Sequence, residues 1–346
     1  MPEREIRFGF ITGYGAEYSL LFIIFAGSLT FLSLQAILMM KILPHVTNET
    51  APLRTVVLGL PDSTGGAPAL ADTYDAKSYE SVLRGTYPSD GDIKIEMDAV
   101  LDVLVRHGIE VLRPEPIANY NQIFARDVAF AIDDKLFVSN LIADRARESE
   151  AFSPIWDCVR ESHLVRLSED IHAEGGDILL YDDILFIGTY LQKNYPSFKT
   201  ARTNARAVDF FREFFPHKTI IPIELIKHDT DPMRSVLHLD CAFQPVGRSR
   251  AIVYRQGFLH SESFGLITEI FGGRDNLFEI TPEKAYMMNT NIFSISPDTV
   301  ISERNFVRLN NHLREAWGMT VEEVPYAEIS KQGGLLRCST MPLVRE

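Results

Sequence analysis

The chain has 346 residues, of which 46% are hydrophobic and 10% aromatic, so it can bury a full core as one large domain or two ordinary ones. Its formal net charge of −13 excludes nucleic acid as the main partner, because phosphate binding needs basic patches, and fits a site that attracts a cation. The three cysteines lack the number and spacing of a disulfide framework or a zinc motif, which predicts a reducing, cytoplasmic compartment.

The first predicted element is a hydrophobic N-terminal segment. From Tyr18 to Met40 no residue is charged, and the run is long enough to span a bilayer as a helix. It is longer than an ordinary signal-peptide core, and no A-x-A cleavage site follows it. Two interpretations stay open: a membrane anchor, or an over-extended start with the native chain beginning at Met39 or Met40. Residues 1–45 are therefore set apart from the rest, and membrane contact is expected only if this segment is a real anchor.

The next elements form a strand–helix–strand unit. Thr55–Leu60 is a continuous apolar run that predicts a strand. Ile93–His107 has the apolar spacing of a helix, and Gly108 ends it. Glu110–Leu112 then predicts a second strand. A different unit recurs along the remainder of the chain.

Four β-hairpins with turn-forming residues at their tips are predicted after this opening. Their paired runs are Val128–Ile132 with Leu136–Ser139, Ile178–Tyr181 with Ile184–Ile187, His238–Gln244 with Ala251–Tyr254, and Asn291–Ile295 with Thr299–Ser302. Helical segments follow them at roughly 145–162, 201–215, 260–271 and 304–317. Together with the opening unit this makes five similar modules, which predicts pseudo-symmetric α/β units of ββαβ type around an axis. The alternative is an ordinary α+β sheet protein.

Polar residues stand at the same place in several modules, where the hairpin begins. Taken singly, each has a structural interpretation, such as a tight turn for Glu-Gly-Gly-Asp or an ordinary strand histidine. Together they favour a shared site, because a ring of modules would aim them at one centre. These residues are Asp127 before the first hairpin, Glu174 and Asp177 before the second, and His238 and Asp240 at the third.

The last motif is the run GGLLRC near the end of the chain. Gly333-Gly334 leads into a short apolar strand, and that strand delivers Cys338 with Arg337 beside it. Glycines let a backbone come close to a ligand, and a Cys next to a fixed cation is a candidate for a lowered pKa and a reactive thiolate. A buried structural cysteine is the alternative, and Cys158 and Cys241 are interpreted in that way.

The motifs FARD, EGGD, HLD and GGLLRC, in this order, resemble those of guanidine-modifying enzymes of the pentein superfamily. That group includes arginine deiminases, dimethylarginine dimethylaminohydrolases and glycine amidinotransferases. The resemblance covers about residues 53–346. It implies a five-bladed α/β propeller, the pentein fold, which agrees with the module count made from the elements alone. A single catalytic domain over residues 50–346 is expected, with the hydrophobic segment outside it.

The resemblance also implies roles for the motif residues. Asp127 and Asp240 would hold the planar guanidinium through paired hydrogen bonds. Cys338 would be the nucleophile that forms a covalent thiouronium. His238 would protonate the departing amine and then activate the second nucleophile. Glu174 would orient His238 and hold it as an imidazolium.

Three further residues are assigned to substrate binding. Arg202 lies in TARTN, which is similar to a family element that contacts the substrate carboxylate, with Thr200 where serine is usual. Arg337 is a second candidate for that carboxylate, and a loop-anchoring arginine is the alternative in both cases. Asp177 is included as well, although stabilisation of its own turn would also explain it.

The leading functional hypothesis is a hydrolase of guanidine C–N bonds that acts on arginine or a methylated arginine. Alternatives are an amidinotransferase, which passes the amidino group to a second amine, and a non-catalytic pentein that only binds. No cofactor is expected. A zinc site at His238, Asp240 and Cys241 is not expected either, because alternate strand residues point to opposite faces. The expected partner is a small guanidino substrate, and a homo-oligomer stays open.

Overall fold

The computed structural model describes residues 41–346 and, before them, the backbone of two short paired strands, β1 (Phe22–Phe25) and β2 (Ser28–Phe31). A helix was predicted from Tyr18 to Met40, but the described parts of this segment, Phe22–Phe25 and Ser28–Phe31, are strands; the rest of the predicted helix lies outside the described residues. Within the part of the chain that is described, no helix combines the length and the apolar character needed to cross a bilayer. Both interpretations of this segment stay predictions.

Five three-stranded sheets follow one another along the chain. In every sheet the middle strand pairs antiparallel with an inner strand and parallel with an outer strand. The strands are β3 (Leu53–Leu58), β4 (Glu110–Leu112), β5 (Ala129–Ile132), β6 (Lys135–Val138), β7 (Leu164–Arg166), β8 (Ile178–Tyr181), β9 (Ile184–Thr189), β10 (Thr219–Glu224), β11 (Phe243–Val246), β12 (Arg250–Val253), β13 (Leu277–Glu279), β14 (Phe293–Ser296), β15 (Thr299–Glu303), β16 (Thr320–Val324) and β17 (Thr340–Arg345). The inner strands are β5, β8, β11, β14 and β17.

The two ends of the chain close the ring. The last strand, β17, pairs with β3, with Thr340 opposite Leu58 and Met341 opposite Val57. Inner strands of successive sheets also touch, as β17 and β5 do. The predicted five-bladed α/β propeller is therefore confirmed, and its fifth blade is built from both ends of the chain.

Helices connect and cover the sheets. The longest of them begins with a capping box between Ser89 and Asp92 and buries Ile93, Met97 and Val100. The helices are α1 (Ala76–Leu83), α2 (Asp90–Arg106), α3 (Ala125–Val128), α4 (Glu148–Ala151), α5 (Ser153–Cys158), α6 (Ala205–Phe214), α7 (Glu262–Ile270), α8 (Pro282–Tyr286) and α9 (Val307–Glu315). An apolar face on each longer helix, packed against a sheet, accounts for their stability better than intrinsic propensity.

Two hairpins owe their tight tips to aspartate. Ile132 pairs with Lys135 and Tyr181 with Ile184, so each loop has only two residues. The first loop residue has a positive φ in both, 51° at Asp133 and 52° at Asp182. Aspartate tolerates this left-handed conformation better than most residues, which is why the turn signals predicted these hairpins correctly.

Two predicted strand boundaries are wrong in a way that matters for the centre of the ring. The first half of His238–Gln244 is not a strand but contains the 3-10 turn Leu239–Cys241, and β11 begins only after it. Cys338 was expected on a strand and instead lies in a turn that ends where β17 begins at Thr340. Apolar residues in both turns are buried because the ring centre is packed, so an apolar run alone does not distinguish turn from strand.

The segment before β3 packs against several blades. Ile42 bridges to Val159, His45 bridges to Val344, and the backbone of Val46 exchanges hydrogen bonds with Asp133. Three residues further on, at position 49, a buried glutamate points into the ring. The folded structure thus begins before residue 50, where the sequence placed the boundary; the division into domains itself stays a prediction.

Candidate active site

Short turns precede the inner strands and carry buried polar side chains. The turns around Asp127, Glu174 and His238 contact one another, as do the segments that follow them. The buried polar and thiol residues in these turns are Asp127, Glu174, Asp177, His238, Asp240, Asn291 and Cys338. The equivalent positions of the modules therefore meet, as the sequence pattern predicted.

Cys338 is held by an asparagine from the fourth module. Its side chain is only 1% exposed. The Nδ2 group of Asn291 donates to Cys338 Sγ at 3.2 Å, and the backbone N–H of Cys338 donates to Asn291 Oδ1 at 3.2 Å. Asp240 Oδ2 lies 3.7 Å from the same sulfur. An amide N–H directed at the sulfur favours a negatively charged nucleophile there.

Arg337 holds the carboxylate beside Cys338. It donates to both oxygens of Glu49, to Asp240 Oδ2 at 2.9 Å, and to the carbonyls of Gly175 and Ile178. Burial would lower the pKa of Arg337, but the two carboxylates outweigh it and raise that pKa above its ordinary value. All five N–H groups are thus engaged within the protein. The expectation that Arg337 binds a substrate carboxylate is corrected: it fixes Asp240.

His238 lies between two carboxylates. Its Nε2 is 2.9 Å from Glu174 Oε2, and its Nδ1 is 3.6 Å from Asp127 Oδ1. Burial would lower the pKa of His238, but the carboxylates of Asp127, Asp177 and Glu174 outweigh it and raise the pKa to about 9. A Cβ at position 176 would lie 2.6 Å from the ring, so Gly176 is the residue that admits it. The imidazole is therefore charged at neutral pH.

Two atoms in this group remain unpaired. Asp127 Oδ1 and His238 Nδ1 are buried and have no hydrogen-bond partner within residues 41–346. Leaving such atoms unsatisfied costs on the order of 1–3 kcal/mol each, unless a ligand supplies the partner. They therefore mark the place where a polar ligand would bind.

Arginines fix the carboxylates on this side. Arg202 Nη1 donates to both oxygens of Glu174, at 3.1 and 3.0 Å. Burial would raise the pKa of Glu174, but Arg202 and His238 outweigh it and lower the pKa to about 2. Arg145 Nη1 donates to Asp127 Oδ2 at 2.6 Å. Both carboxylates are thereby oriented next to the imidazole.

Asp177 connects two turns. Its Oδ1 accepts the backbone N–H of Leu239 at 2.9 Å, and its Oδ2 accepts the hydroxyl of Thr203 at 2.6 Å. Burial raises the pKa of Asp177 above its ordinary value. Both oxygens are used within the protein, so Asp177 positions the turn that carries His238.

Two groups of residues meet at one centre. The Cys338 side consists of Cys338, Asn291, Asp240, Arg337 and Glu49, and the His238 side consists of His238, Asp127, Glu174, Arg145 and Arg202. His238 and Asp240 belong to the same turn, and Asp240 contacts the sulfur of Cys338. From the opposite side, the N–H of Arg126 donates to the carbonyl of Cys338 at 3.0 Å, and the next residue is Asp127. The turns that carry His238 and Cys338 are therefore neighbours, joined through Asp240 and through Arg126.

Sequence reasoning missed three residues of this centre. Asn291 stands at the start of the fourth predicted hairpin, so the rule that singled out the other modules would have found it. Glu49 lies before the first predicted strand, and Arg145 lies in a loop after β6; neither has a motif or period around it. Only their contacts with Arg337 and Asp127 reveal them.

The reason given against a metal site is also corrected. Asp240 and Cys241 lie in a turn, not on a strand, so they do not point to opposite faces. One ligand atom each of Asp240, Cys241 and Cys338 lies within 4.8 Å of the others, as do those of Asp127, Glu174 and His238. The expectation that no metal is bound stays a prediction.

The chain is similar to known proteins in sequence. A family model described as N,N dimethylarginine dimethylhydrolase, eukaryotic, matches residues 91–345. The uncharacterized protein YkgA of Bacillus subtilis is 30% identical over 247 residues, which cover 71% of this chain and 78% of that protein. An arginine deiminase of Listeria monocytogenes is 24% identical over 246 residues, 62% of this chain and 55% of the deiminase. The chain thus spans about half the length of that deiminase.

Solved structures share the fold at low sequence identity. SxtG, an amidinotransferase from Microseira wollei, superposes with a TM-score of 0.68 at 14% identity, covering 88% of this chain and 97% of that one. The N-terminal domain of ArgZ, an arginine dihydrolase from cyanobacteria, superposes with a TM-score of 0.66 at 17% identity, covering 84% and 97%. Both likenesses concern the fold.

Proposed function

Because the chain belongs to the family described as N,N dimethylarginine dimethylhydrolase, we propose that it hydrolyses a C–N bond of a guanidino compound through Cys338. Arginine and methylated arginines are the proposed substrates. The observation that carries this proposal is the pair of unpaired atoms, Asp127 Oδ1 and His238 Nδ1, next to the turn in which Asp240 contacts the sulfur.

Substrate binding follows from the charge and shape of a guanidinium. It is a planar cation whose N–H groups point outward in its plane, so it needs carboxylates at its edges. Asp127 offers a free oxygen, and Asp240 is fixed beside Cys338 by Arg337. A guanidinium between these two carboxylates has its central carbon near the sulfur, which lowers the entropic cost of attack. Arg202, assigned from sequence to a substrate carboxylate, instead donates to Glu174 and to the carbonyls of Lys199 and Tyr74, so its proposed role is to hold Glu174.

The first half of the reaction forms a covalent adduct. The Cys338 thiolate attacks the central carbon and forms a C–S bond. As the tetrahedral intermediate collapses, the C–N bond breaks and the departing nitrogen takes a proton from His238 Nδ1. Ammonia or an amine leaves, and a thiouronium remains on Cys338. A pKa of about 9 makes His238 a proton donor at neutral pH.

The second half restores the enzyme. Neutral His238 takes a proton from water, and the oxygen attacks the thiouronium carbon. The C–S bond then breaks and returns the thiolate, the proton of the added hydroxyl passes to solvent, and a neutral ureido product leaves. Glu174 keeps the ring oriented in both halves through its contact with Nε2, and Arg202 holds Glu174.

Product analysis tests the proposal. The protein is incubated separately with arginine and with asymmetric dimethylarginine, each with and without glycine. A ureido product together with ammonia or dimethylamine, formed without glycine, is expected. Guanidinoacetate that forms only with glycine would show an amidinotransferase instead.

Two variants complete this test. Cys338→Ala is expected to abolish turnover, because it removes the attacking atom. Cys158→Ala is the matched control, since Cys158 lies at the end of α5, away from the site residues, and turnover should be retained. Folded Cys338→Ala protein with undiminished turnover would overturn the proposal.

A further inference from the structure

Two of the three cysteines lie side by side in the ring. The sulfur atoms of Cys241 and Cys338 are within 4.8 Å of each other. Cys241, interpreted from sequence as structural, is the last residue of the turn that also carries Asp240. A disulfide has an S–S distance of about 2 Å, so the sulfurs need to approach by at most about 3 Å. Cys158, the third cysteine, is on α5.

The two cysteines differ in access. Cys241 is half-buried and lines a surface pocket of about 50 Å³ together with Leu237, Met288 and Gly333. Cys338 is buried behind it. Any guanidinium that reaches the sulfur of Cys338 is larger than hydrogen peroxide, so the same route admits a small hydroperoxide.

The two cysteines also differ in chemistry. The neighbouring thiol of Cys338, and then burial, raise the pKa of the Cys241 thiol well above its ordinary value. Cys241 therefore keeps its proton, while the sulfur of Cys338 accepts a hydrogen bond from the Nδ2 group of Asn291. The thiolate, not the thiol, reacts with peroxides, so Cys338 is the sulfur that is oxidised first.

We propose that Cys241 is a resolving cysteine, which forms a reversible disulfide with Cys338 after a hydroperoxide has oxidised Cys338. The inference rests on the proposed role of Cys338 as the nucleophile. It adds a modification site and a redox control to the catalytic centre, with hydrogen peroxide or a small alkyl hydroperoxide as the reagent.

The chemistry balances in two steps. The Cys338 thiolate attacks one peroxide oxygen, the O–O bond breaks, and sulfenic acid and hydroxide form; sulfur is oxidised and peroxide is reduced. Cys241 sulfur then attacks the sulfenic sulfur, the S–O bond breaks, and the oxygen leaves as water with the proton of Cys241. Asp240 lies 3.4 Å from the sulfur of Cys241 and 3.7 Å from that of Cys338, where it can relay this proton.

The disulfide protects as well as inhibits. Without a neighbouring thiol, sulfenic acid proceeds with more peroxide to sulfinic acid, which ordinary thiols do not reduce. A disulfide with Cys241 removes the nucleophile but is returned to two thiols by dithiothreitol. Reversible inactivation is therefore expected in the wild-type protein.

Peptide mapping of the full chain tests this directly. Protein is treated with a few equivalents of hydrogen peroxide, quenched with catalase, alkylated and digested without reductant. A cross-linked peptide pair containing Cys241 and Cys338, with loss of two hydrogen atoms, is expected. Arginine turnover should fall in parallel and return with dithiothreitol. Free Cys241 beside oxidised Cys338, or a link through Cys158, would overturn the proposal.

Two variants sharpen the test, each compared with its own untreated activity. Cys241→Ser is expected to lose activity to peroxide without recovery in dithiothreitol, with Cys338 found as sulfinic acid. Cys158→Ser should behave like the wild type. A cross-link in protein that never turned over a guanidino compound would refute the proposed function alone. Turnover with no cross-link would refute this inference alone. The peptide map of the wild-type protein tests the inference even if Cys241→Ser fails to fold.

Discussion

The Cys338 side and the His238 side of the centre use the same kinds of groups but differ in how completely those groups are paired. On the Cys338 side, every N–H of the Arg337 side chain donates to Glu49, Asp240 or one of two backbone carbonyls. On the His238 side, Asp127 and His238 each keep one atom unpaired within the described residues. The comparison teaches that Arg337 fixes the carboxylate beside Cys338 through contacts within the protein, whereas Asp127 and His238 each keep an atom that a ligand can pair.

This difference separates stability from chemistry. A fully paired buried charge matters for stability, because removal of one partner would leave the other buried and unpaired. An unpaired buried polar atom lowers stability, and it is retained where a substrate supplies the missing hydrogen-bond partner. Substitutions that break the pairs of Arg337 should therefore act mainly on folding stability, and those on the His238 side mainly on turnover.

After the complete loss expected for Cys338→Ala, the largest effect on turnover is expected for His238→Ala. It removes the group that protonates the departing nitrogen and later activates water, which is worth about 10²–10⁴-fold. Steady-state kinetics should show the loss in kcat. A loss confined to KM would contradict the role of His238 as acid and base.

Glu49→Gln should act on stability instead. It removes one of two carboxylates that pair with the buried Arg337, and breaking such a pair costs about 3 kcal/mol. Urea unfolding measures the change. Glu346→Gln is the matched control, because its pair with Arg54 is exposed and contributes little. Equal destabilisation by the two variants would contradict the scaffold role of Glu49.

Gly176→Ala should move the imidazole. The added methyl would lie 2.6 Å from the His238 ring, so the ring must shift, and a shift of about 1 Å can cost up to about 100-fold in kcat. Gly265→Ala is the control, since a Cβ at that position in α7 meets nothing within 4 Å. Its kcat should equal that of the wild type; a kcat of Gly176→Ala that also stays at that level would remove the steric argument.

The smallest expected effect is a shift of the alkaline limb of the pH–activity profile. The folded pKa of His238, about 9, lies above its ordinary value of 6.5, so the imidazolium persists at neutral pH and is lost as pH rises through about 9. Turnover should therefore fall above about pH 9. Glu174→Gln removes one supporting carboxylate, and its limb should move to lower pH by roughly one unit. A shift of the alkaline limb to higher pH in Glu174→Gln would contradict the assigned effect of Glu174 on the pKa of His238.

Much of the fold and part of the site could be predicted from sequence. Aspartate turns and alternating apolar runs gave the hairpins, and the five-module count and the pentein resemblance are confirmed by the sheets and the family match. His238 and Asp240 were placed in a strand, because a buried turn is as apolar as a strand. Glu49 and Arg145 could not be predicted, since a lone charge in a loop carries no signal until its partner is known.

Trapping the adduct tests the central claim most directly. Protein is mixed with arginine, quenched in acid during turnover, and analysed by intact and peptide mass spectrometry. A thiouronium mass on the peptide of Cys338, absent from Cys338→Ala, is the predicted result. Turnover with no adduct on Cys338, or an adduct carried by Cys241, would contradict it.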